Sequence, residues 1–345
     1  MSIVTIVGAG MMASALSFPL RDNGHLVRLV GTPLDREIID TLRETGEHRT
    51  LKRKLPEGIE FYQIEELTDA MRGAELLVGG VSSFGLDWFM ENILPMIPQG
   101  LPLLSVTKGM QDQPDGTMLS YPEMYEKATG AKVSCNAVGG PCTSYELADK
   151  DPSFVTFCGR NIDELRRIKA LFETPYYHIS LSEDVRGVEC AVALKNAYAL
   201  AVGLAIGMSY KREGREMEHY NSQAALFGQS VREMQGLLKL CEEKSSNIML
   251  AAGDLYVTVF GGRTRKIGTL LGMGLPFAEA MDKLAGVTLE SIVIATRTAR
   301  AVRKLQELGV VGKEEYPLLM HVDELINKDA KLNIPWNAFE TETVL

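Results

Sequence analysis

The first residues of the chain, "SIVTIVGAGMMASA", place a short β-branched apolar run directly before two closely spaced glycines. Residues 2–7 are typical of a buried strand in a parallel sheet, and the segment after Gly10 is typical of a helix. Gly8 permits a tight turn, Gly10 lets a pyrophosphate approach the helix N-terminus, and Ala13 takes the packing position of a third glycine. The pattern predicts a dinucleotide-binding loop, with an ordinary strand–helix turn as the alternative.

Strand patterns and helix patterns alternate through the first half of the 345-residue chain. After the N-terminal strand, further strands are predicted at residues 26–31, 74–81, 101–107, 131–140, 153–159 and 176–182. Beyond about residue 185 helix patterns dominate, at residues 185–208, 218–243, 276–284, 291–308 and 313–327. The sequence therefore predicts a doubly wound α/β domain over residues 1–183 and an all-helical domain over residues 184–345.

Composition excludes several classes of function. The formal net charge is −9 and no basic stripe is present, so no nucleic-acid partner is expected. The N-terminus has no basic region before its apolar run, so we expect no signal peptide. Five irregularly spaced cysteines favour reduced thiols in the cytoplasm over a disulfide framework or a metal site.

The most apolar stretch of the chain, residues 190–208, is interrupted by Lys195 and Asn196. Crossing a membrane takes about 20 uninterrupted apolar residues, so this stretch is predicted to be a buried helix and no membrane partner is expected. A buried ammonium group is costly unless it is paired or surrenders its proton. Lys195 therefore reaches solvent, forms a structural ion pair, or serves as a general acid and base.

The residues after the second predicted strand bear on the choice of dinucleotide. A carboxylate at this place binds the ribose of NAD, but this chain has Gly31, Thr32 and Pro33 there. Thr32 and Arg36 could accept the 2′-phosphate of NADP, although an exposed position for Arg36 at a helix start is an equal alternative. NAD and NADP both remain candidate cofactors.

Three further segments carry candidate binding residues. Lys108 and Gly140 each follow a predicted strand, where a lysine or a free backbone N–H can reach an anion; a surface lysine and a plain turn are the alternatives. The segment "AAGDLYVTVFGGRTRK" contains Asp254, Thr258, Arg263 and Thr264. An arginine that follows two glycines is suited to binding a phosphate. The alternative for the basic run is a solvent-exposed helix end, and the alternative for Asp254 is a helix cap.

Seven segments, in order along nearly the whole chain, resemble the NAD(P)-dependent glycerol-3-phosphate dehydrogenase family: "VGAGMMASAL", "SVTKGM", "GGPCTSYELA", "GVECAVALKNAYALAVGLAIGM", "AAGDLYVT", "GGRTRKIG" and "TRTARAV". The resemblance implies an N-terminal Rossmann domain and a helical C-terminal domain of the 6-phosphogluconate dehydrogenase type. It also implies hydride transfer between NAD(P) and the C2 position of sn-glycerol 3-phosphate or dihydroxyacetone phosphate. A homodimer is expected.

The resemblance also implies individual roles. Lys195 matches the catalytic proton donor and acceptor, and Asp254 and Thr258 match the residues that orient this lysine and the substrate. Lys108 matches a lysine near cofactor and substrate, and Arg263 matches the arginine that binds the substrate phosphate and contacts the cofactor. The remaining matches are Met11, Met12 and Ser144 for the cofactor and Asn196 for the substrate.

Four positions depart from the family pattern: Cys142, Gln229, Thr264 and Ile294. In the family these positions line or neighbour the ligand region, and Thr264, which replaces an asparagine, still donates one hydrogen bond towards a phosphate. The departures favour one alternative, a related dehydrogenase for another phosphorylated polyol or a hydroxyacid. A dinucleotide-binding sensor without turnover is the second alternative, although a sensor needs no proton donor.

Overall fold

The computed structural model describes residues 1–342. The strands are β1 (Ile3–Val7), β2 (Leu26–Val30), β3 (Glu47–His48), β4 (Arg53–Lys54), β5 (Ile59–Tyr62), β6 (Leu76–Gly79), β7 (Leu103–Ser105), β8 (Met110–Asp112), β9 (Met118–Ser120), β10 (Cys135–Gly139), β11 (Ser153–Cys158) and β12 (Tyr177–Ser182). The helices of the first half are α1 (Met11–Ala15), α2 (Ser17–Asp22), α3 (Arg36–Thr45), α4 (Leu67–Ala70), α5 (Leu86–Asn92), α6 (Tyr121–Thr129), α7 (Ser144–Ala148) and α8 (Ile162–Phe172). Those of the second half are α9 (Val185–Glu213), α10 (Tyr220–Leu240), α11 (Ile248–Val259), α12 (Gly262–Gly272), α13 (Phe277–Asp282), α14 (Glu290–Glu307) and α15 (Pro317–Asn327).

Eight strands form one sheet in the order β12-β11-β10-β7-β6-β1-β2-β5. From β5 to β10 all pairs are parallel, and only β10 and β11 pair antiparallel. The order reverses around β1, because β2 lies on one side of it and β6 on the other. Ligands bind at such a reversal, beyond the carboxyl ends of the strands, which is where the glycine loop follows β1. The predicted Rossmann domain is confirmed.

The predicted strands are all present, most of them one to four residues shorter than the patterns that identified them. β5 was not predicted, because its four residues include Glu60 and show no apolar run. The two-stranded sheets β3-β4 and β8-β9 were also missed. Strands of two or three residues are defined by their partner rather than by a pattern of their own.

The second half of the chain is helical, as predicted, and its core surrounds α9. Side chains of α9 from Cys190 to Leu194 and from Ala197 to Val202 have at most 2% exposure. By length and hydropathy α9 could span a membrane, but its most apolar window is completely buried within the structure. The helix thus buries its apolar surface against other parts of this protein.

Glycines allow α9 and α12 to pack with their backbones in contact. A methyl group at Gly203 would lie 3.0 Å from the Cα atom of Gly268, and one at Gly207 would lie 2.0 Å from the carbonyl oxygen of Thr269. Gly272 makes the same kind of approach to Leu204. This packing fixes the position of α12, whose first turn carries Arg263 and Thr264.

The chain divides into two compact units, residues 1–108 with 120–189 and residues 109–119 with 190–345. The first contains the large sheet, and the second contains the helices that follow Glu189. Residues 109–119, which the sequence placed in the first domain, group with the helical unit. Two contacts hold them there: Arg300 Nη2 donates to Asp112 Oδ1 at 2.8 Å, and Arg297 Nη1 donates to the Met110 carbonyl at 3.1 Å. The domain division at 183/184 stays a prediction.

Candidate active site

The loop after β1 has a backbone that requires glycine. Gly8 has a φ of +108°, and a Cβ atom there would lie 2.7 Å from the carbonyl oxygen of Gly80. Gly10 is the N-cap of α1, and no side chain caps this helix end. The N–H groups of the first turn, which begins at Met11 and Met12, therefore point away from the helix without intrahelical partners. This cradle fits the pyrophosphate of a dinucleotide.

Two side chains that sequence reasoning missed hold the loop in place. Asp35 Oδ2 accepts a hydrogen bond from the Ala9 N–H at 3.1 Å, and His48 Nε2 lies 2.8 Å from the Ala9 carbonyl. His48 Nδ1 accepts from the Leu51 N–H at 3.1 Å, so the ring proton is on Nε2 and is donated to Ala9. Burial lowers the pKa of His48, which keeps the ring neutral. No short-range pattern marks His48, because its partner is 39 residues away.

Thr32 and Arg36, which were predicted to decide between NAD and NADP, each bind another side chain of the protein. Asp35 Oδ2 also accepts from the N–H of Thr32 at 2.9 Å and from its hydroxyl at 2.7 Å. Arg36 is exposed and forms an ion pair with Glu65. One oxygen of the Asp35 carboxylate, Oδ2, therefore accepts from three donors on the protein, and an exposed guanidinium lies next to Asp35 in the chain.

A second group of predicted residues gathers at the ends of β7 and β10. Lys108 Nζ donates to the carbonyl of Gly140 at 3.0 Å, and Gly140 has a φ of +130°. Met12, Lys108, Gly140 and Cys142 line one small cavity of about 20 Å³. Ser144 begins α7, after Thr143 as the predicted helix start. The sequence therefore identified correctly a set of residues that the Rossmann unit brings together.

Lys195 forms a pair with α11 inside the helical unit. Its Nζ donates to Asp254 Oδ1 at 2.9 Å and to Thr258 Oγ1 at 2.8 Å. Asp254 and Thr258 are four residues apart and so share one face of α11. The Thr258 hydroxyl donates to the Asp254 carbonyl at 2.6 Å, which leaves its oxygen lone pair for the lysine.

Burial shows that this pair is not a surface ion pair. The Lys195 side chain is 12% exposed and that of Asp254 is 1% exposed. Asp254 lies in the middle of α11, so the alternative that it caps a helix is wrong. Gly253 does not end the helix, because the buried residues Ala251 and Leu255 on either side fix α11 by packing. The arrangement holds one partly accessible ammonium group in a defined orientation.

The other candidate substrate residues have side chains available for a ligand. Asn196 is 7% exposed, and within residues 1–342 its amide makes no hydrogen bond. Arg263 and Thr264 begin α12, where Arg263 is exposed and contacts the Thr288 hydroxyl. An amide without a hydrogen-bond partner on the protein can bind a polar ligand beside Lys195.

Family comparison agrees with this arrangement. The model for the N-terminal part of NAD-dependent glycerol-3-phosphate dehydrogenase matches residues 3–164, and the model for its C-terminal part matches residues 184–336. The chain belongs to the NAD-dependent glycerol-3-phosphate dehydrogenase family. The resemblance seen in the sequence is confirmed.

Individual relatives cover most of the chain. A protein of Archaeoglobus fulgidus named NADP(+)-dependent glycerol-3-phosphate dehydrogenase is 33% identical over 285 residues, 82% of this chain and 83% of the relative. A glycerol-3-phosphate dehydrogenase [NAD(P)+] of Koribacter versatilis is 30% identical over 302 residues, 85% of each chain. The glycerol-3-phosphate dehydrogenase structures from Coxiella burnetii (TM-score 0.79, 23% identity, 98% and 97% covered) and Plasmodium falciparum (TM-score 0.82, 21% identity, 100% and 96% covered) share the fold.

Two of the four departures from the pattern of this family lie in the interior of the helical unit. Ile294 is 2% exposed and belongs to the helical core. Gln229 is buried, and its Nε2 donates to Glu233 Oε1 at 2.8 Å. Their side chains are thus used in packing and in a protein hydrogen bond, and the expectation that these two positions line or neighbour the ligand region stays a prediction. Thr264 and Cys142 remain near predicted site residues.

Glu189 is a buried acid that sequence reasoning also missed. It directly precedes the apolar stretch that contains Lys195, and a charge at the edge of such a stretch was the available signal. Its side chain has no exposure, and neither carboxylate oxygen has a hydrogen-bond partner in the described part of the chain. Burial raises the pKa of Glu189 to about 8, attraction by Lys108 opposes the shift, and repulsion by Glu123 adds to it.

We expect Glu189→Gln to remove a pH dependence of stability. A carboxyl group with a raised pKa stabilises the fold fully below its unfolded pKa, and this contribution is lost as the pH rises through about 8. The variant should therefore match the wild type near pH 5 and exceed it near pH 9, by an amount on the order of 4 kcal/mol, since one pKa unit is about 1.4 kcal/mol. Chemical denaturation across this pH range measures the difference. Parallel profiles for Glu189→Gln, the exposed control Glu91→Gln and the wild type would contradict it.

Proposed function

We propose that the protein interconverts sn-glycerol 3-phosphate and dihydroxyacetone phosphate with NAD(H) or NADP(H). The observation that carries this proposal is the Lys195 ammonium group, held by Asp254 and Thr258 in a chain that also has a dinucleotide-binding loop. Reduction of a ketone needs both a hydride and a proton, and these two features supply one each. The names of the relatives from Archaeoglobus fulgidus and Koribacter versatilis support the same substrate pair.

The proposed chemistry assigns one task to each side chain. The nicotinamide cofactor, when bound, gives a hydride to the substrate C2 or accepts one from it. In the reducing direction, Lys195 gives a proton to the C2 oxygen, and in the oxidising direction it takes this proton back. Asp254 and Thr258 hold the amine in place through the contacts at 2.9 and 2.8 Å. The site residues are thus proposals that rest on geometry and on the family pattern.

Substrate recognition is assigned to the remaining residues. Arg263, Thr264 and the backbone N–H groups at the start of α12 bind the substrate phosphate, because a helix N-terminus and a guanidinium both favour a dianion. The unpartnered amide of Asn196 binds a substrate hydroxyl, and Lys108 polarises the C2 oxygen. Gly8, Gly10, Met11, Met12, Thr32 and Ser144 bind the cofactor.

A second candidate is a dehydrogenase for another phosphorylated polyol or a hydroxyacid. The observation in its favour is Thr264, whose side chain has one hydroxyl where the family pattern has an amide. The sensor without turnover has less support, because burial of Lys195 against Asp254 costs desolvation that binding a dinucleotide does not require.

The first experiment offers dihydroxyacetone phosphate with NADH and, separately, with NADPH, and follows the loss of reduced nicotinamide. We expect turnover with both and a preference for NADPH. No carboxylate lies directly after β2, the Asp35 oxygen Oδ2 is occupied by protein donors, and the relative from Archaeoglobus fulgidus is named NADP(+)-dependent. Dinucleotide binding without turnover on this substrate would contradict the proposal and favour a panel of other phosphorylated ketones.

We also propose that the protein is located in the cytoplasm and forms a homodimer. All five cysteines are free thiols, which suits a reducing compartment. Met249 and Tyr256 are exposed on one side of α11, and exposed apolar groups of this kind are typical of protein contact surfaces. Light scattering on the purified protein measures the oligomeric state directly, and a monomeric mass would contradict the dimer.

A further inference from the structure

The helical unit contains a cavity of about 790 Å³ to which no role has been assigned above. Its walls come from the end of α9 and the following loop, from the turn before α12 together with α12 itself, and from the end of α13. This volume lies in the range of sites that bind metabolites and cofactors. All its lining residues belong to the helical unit.

The cavity gathers positive charge in an acidic chain. Its lining includes five cationic side chains and a single acidic one, Glu216; the cations are Lys211, Arg215, Arg265, Lys266 and Lys283. Arg265 forms an ion pair with Glu218, but within residues 1–342 the other four cations make no ion pair. Because the whole chain has a net charge of −9, this concentration opposes the general field of the protein and attracts anions locally.

Aromatic side chains lie beside these cations. Tyr210 and Phe260 both line the cavity, and Phe260 is 61% exposed. Phe260 packs edge-on against Tyr256 with ring centres 4.8 Å apart, so its orientation is fixed while one part of the ring stays accessible. An accessible aromatic ring beside unpaired cations suits a ligand that combines a flat ring with phosphate groups.

The cavity and the Lys195 pair are lined by different residues. Along α9, Tyr210 is 15 residues beyond Lys195, which corresponds to about 22 Å at 1.5 Å per residue, whereas Phe260 follows Thr258 by two residues. Lys195, Asp254 and Thr258 do not line the cavity. Gly261 and Gly262 do line it, and they directly precede Arg263. A ligand here would therefore contact the turn that positions Arg263 without contacting the proton-transfer residues.

We propose that this cavity binds a nucleoside di- or triphosphate as an effector. The phosphates contact Lys211, Lys283 and Arg215, and the base packs against Phe260. Binding next to Gly261 and Gly262 changes the position of Arg263, and so alters the affinity for a phosphorylated substrate rather than the proton transfer itself. The binding step is independent of the activity proposed above, so that its test does not depend on turnover.

The test is calorimetric titration of the full-length protein with ATP in the absence of dinucleotide, because NADP+ also combines an adenine ring with phosphates and would compete for the cavity. Any binding of ATP at the dinucleotide loop would not respond to substitution of the cavity lysines. We expect a binding isotherm that the double variant Lys211→Ala/Lys283→Ala weakens at least tenfold. The matched control, Lys239→Ala/Lys313→Ala, removes two exposed lysines of the same unit that do not line the cavity, and it should bind like the wild type. Both double variants change only exposed side chains, and thermal unfolding verifies that they are folded.

Three results would overturn the proposal. The first is the absence of ATP binding to the wild type under these conditions. The second is equal weakening by both double variants, which would indicate a loss of general charge rather than a site. The third is equal binding of inorganic tripolyphosphate and ATP, which would exclude the contact between the base and Phe260.

Discussion

Replacing Lys195 by alanine is expected to lower kcat by a factor of about 10² to 10⁴, the usual contribution of a positioned general acid and base. The physical reason is that Lys195 Nζ, fixed by Asp254 and Thr258, is the proposed carrier of the proton for the C2 oxygen. Dinucleotide affinity should stay nearly unchanged, because the loop around Gly8 and Gly10 belongs to the other compact unit. Steady-state kinetics and a fluorescence titration with NADPH measure the two quantities.

The variant Lys195→Arg distinguishes a requirement for proton transfer from a requirement for positive charge at this position. Lys195→Arg keeps a cation that can pair with Asp254, but a guanidinium does not release its proton at accessible pH. We therefore expect Lys195→Arg to lose nearly as much turnover as Lys195→Ala, while it loses less thermal stability, since alanine leaves the buried Asp254 carboxylate without its cation. Near-normal turnover of Lys195→Arg would show that only the positive charge of this residue matters.

The largest expected loss of stability comes from Gly207→Ala. The added methyl group would lie 2.0 Å from the Thr269 carbonyl oxygen and 2.6 Å from the Met273 backbone nitrogen. Neither atom can move without displacing α12, so the variant should lose about 3 kcal/mol of unfolding free energy, at the upper end of overpacking effects. Chemical denaturation monitored by circular dichroism gives this value.

Gly228→Ala is the matched control for this prediction. Gly228 is also a helical glycine, in the middle of α10, but a methyl group there would meet no atom within 4 Å. Alanine restricts the unfolded chain and favours the helix, so this variant should gain about 0.5–1 kcal/mol. Equal effects of the two substitutions would show that the α9–α12 contact is looser than the structure indicates.

Local sequence patterns were enough to predict the strands and helices that carry most of the candidate site residues. The β1–glycine loop–α1 segment, the strands that end near Lys108 and Gly140, and the long apolar helix around Lys195 each have a distinct period and clear boundaries. The link between Lys195 and Asp254 joins residues 59 positions apart, so it came from the family pattern rather than from spacing. The distance between the two side chains and their burial are known only from the structure.

The residues that were missed depend on contacts distant in the chain. His48 has no motif around it, and its role comes from a hydrogen bond to Ala9. Asp35 lies beyond the position at which spacing predicts a ribose-binding acid, and its role in holding the loop comes from hydrogen bonds to Thr32 and Ala9. For Gln229 and Ile294 the family pattern predicts a place in or beside the ligand region, but the burial of their side chains depends on packing that one sequence does not reveal.

The grouping of residues 109–119 with the helical unit limits how this protein can be dissected. The chain leaves the first unit after Lys108, returns to it at Ser120, and leaves it finally after Glu189. No single cut in the backbone therefore yields two fragments that each hold one complete unit. A fragment ending at residue 183 would also lack the first turn of α9, which includes Glu189. Attempts to produce either half alone should therefore give poorly folded material.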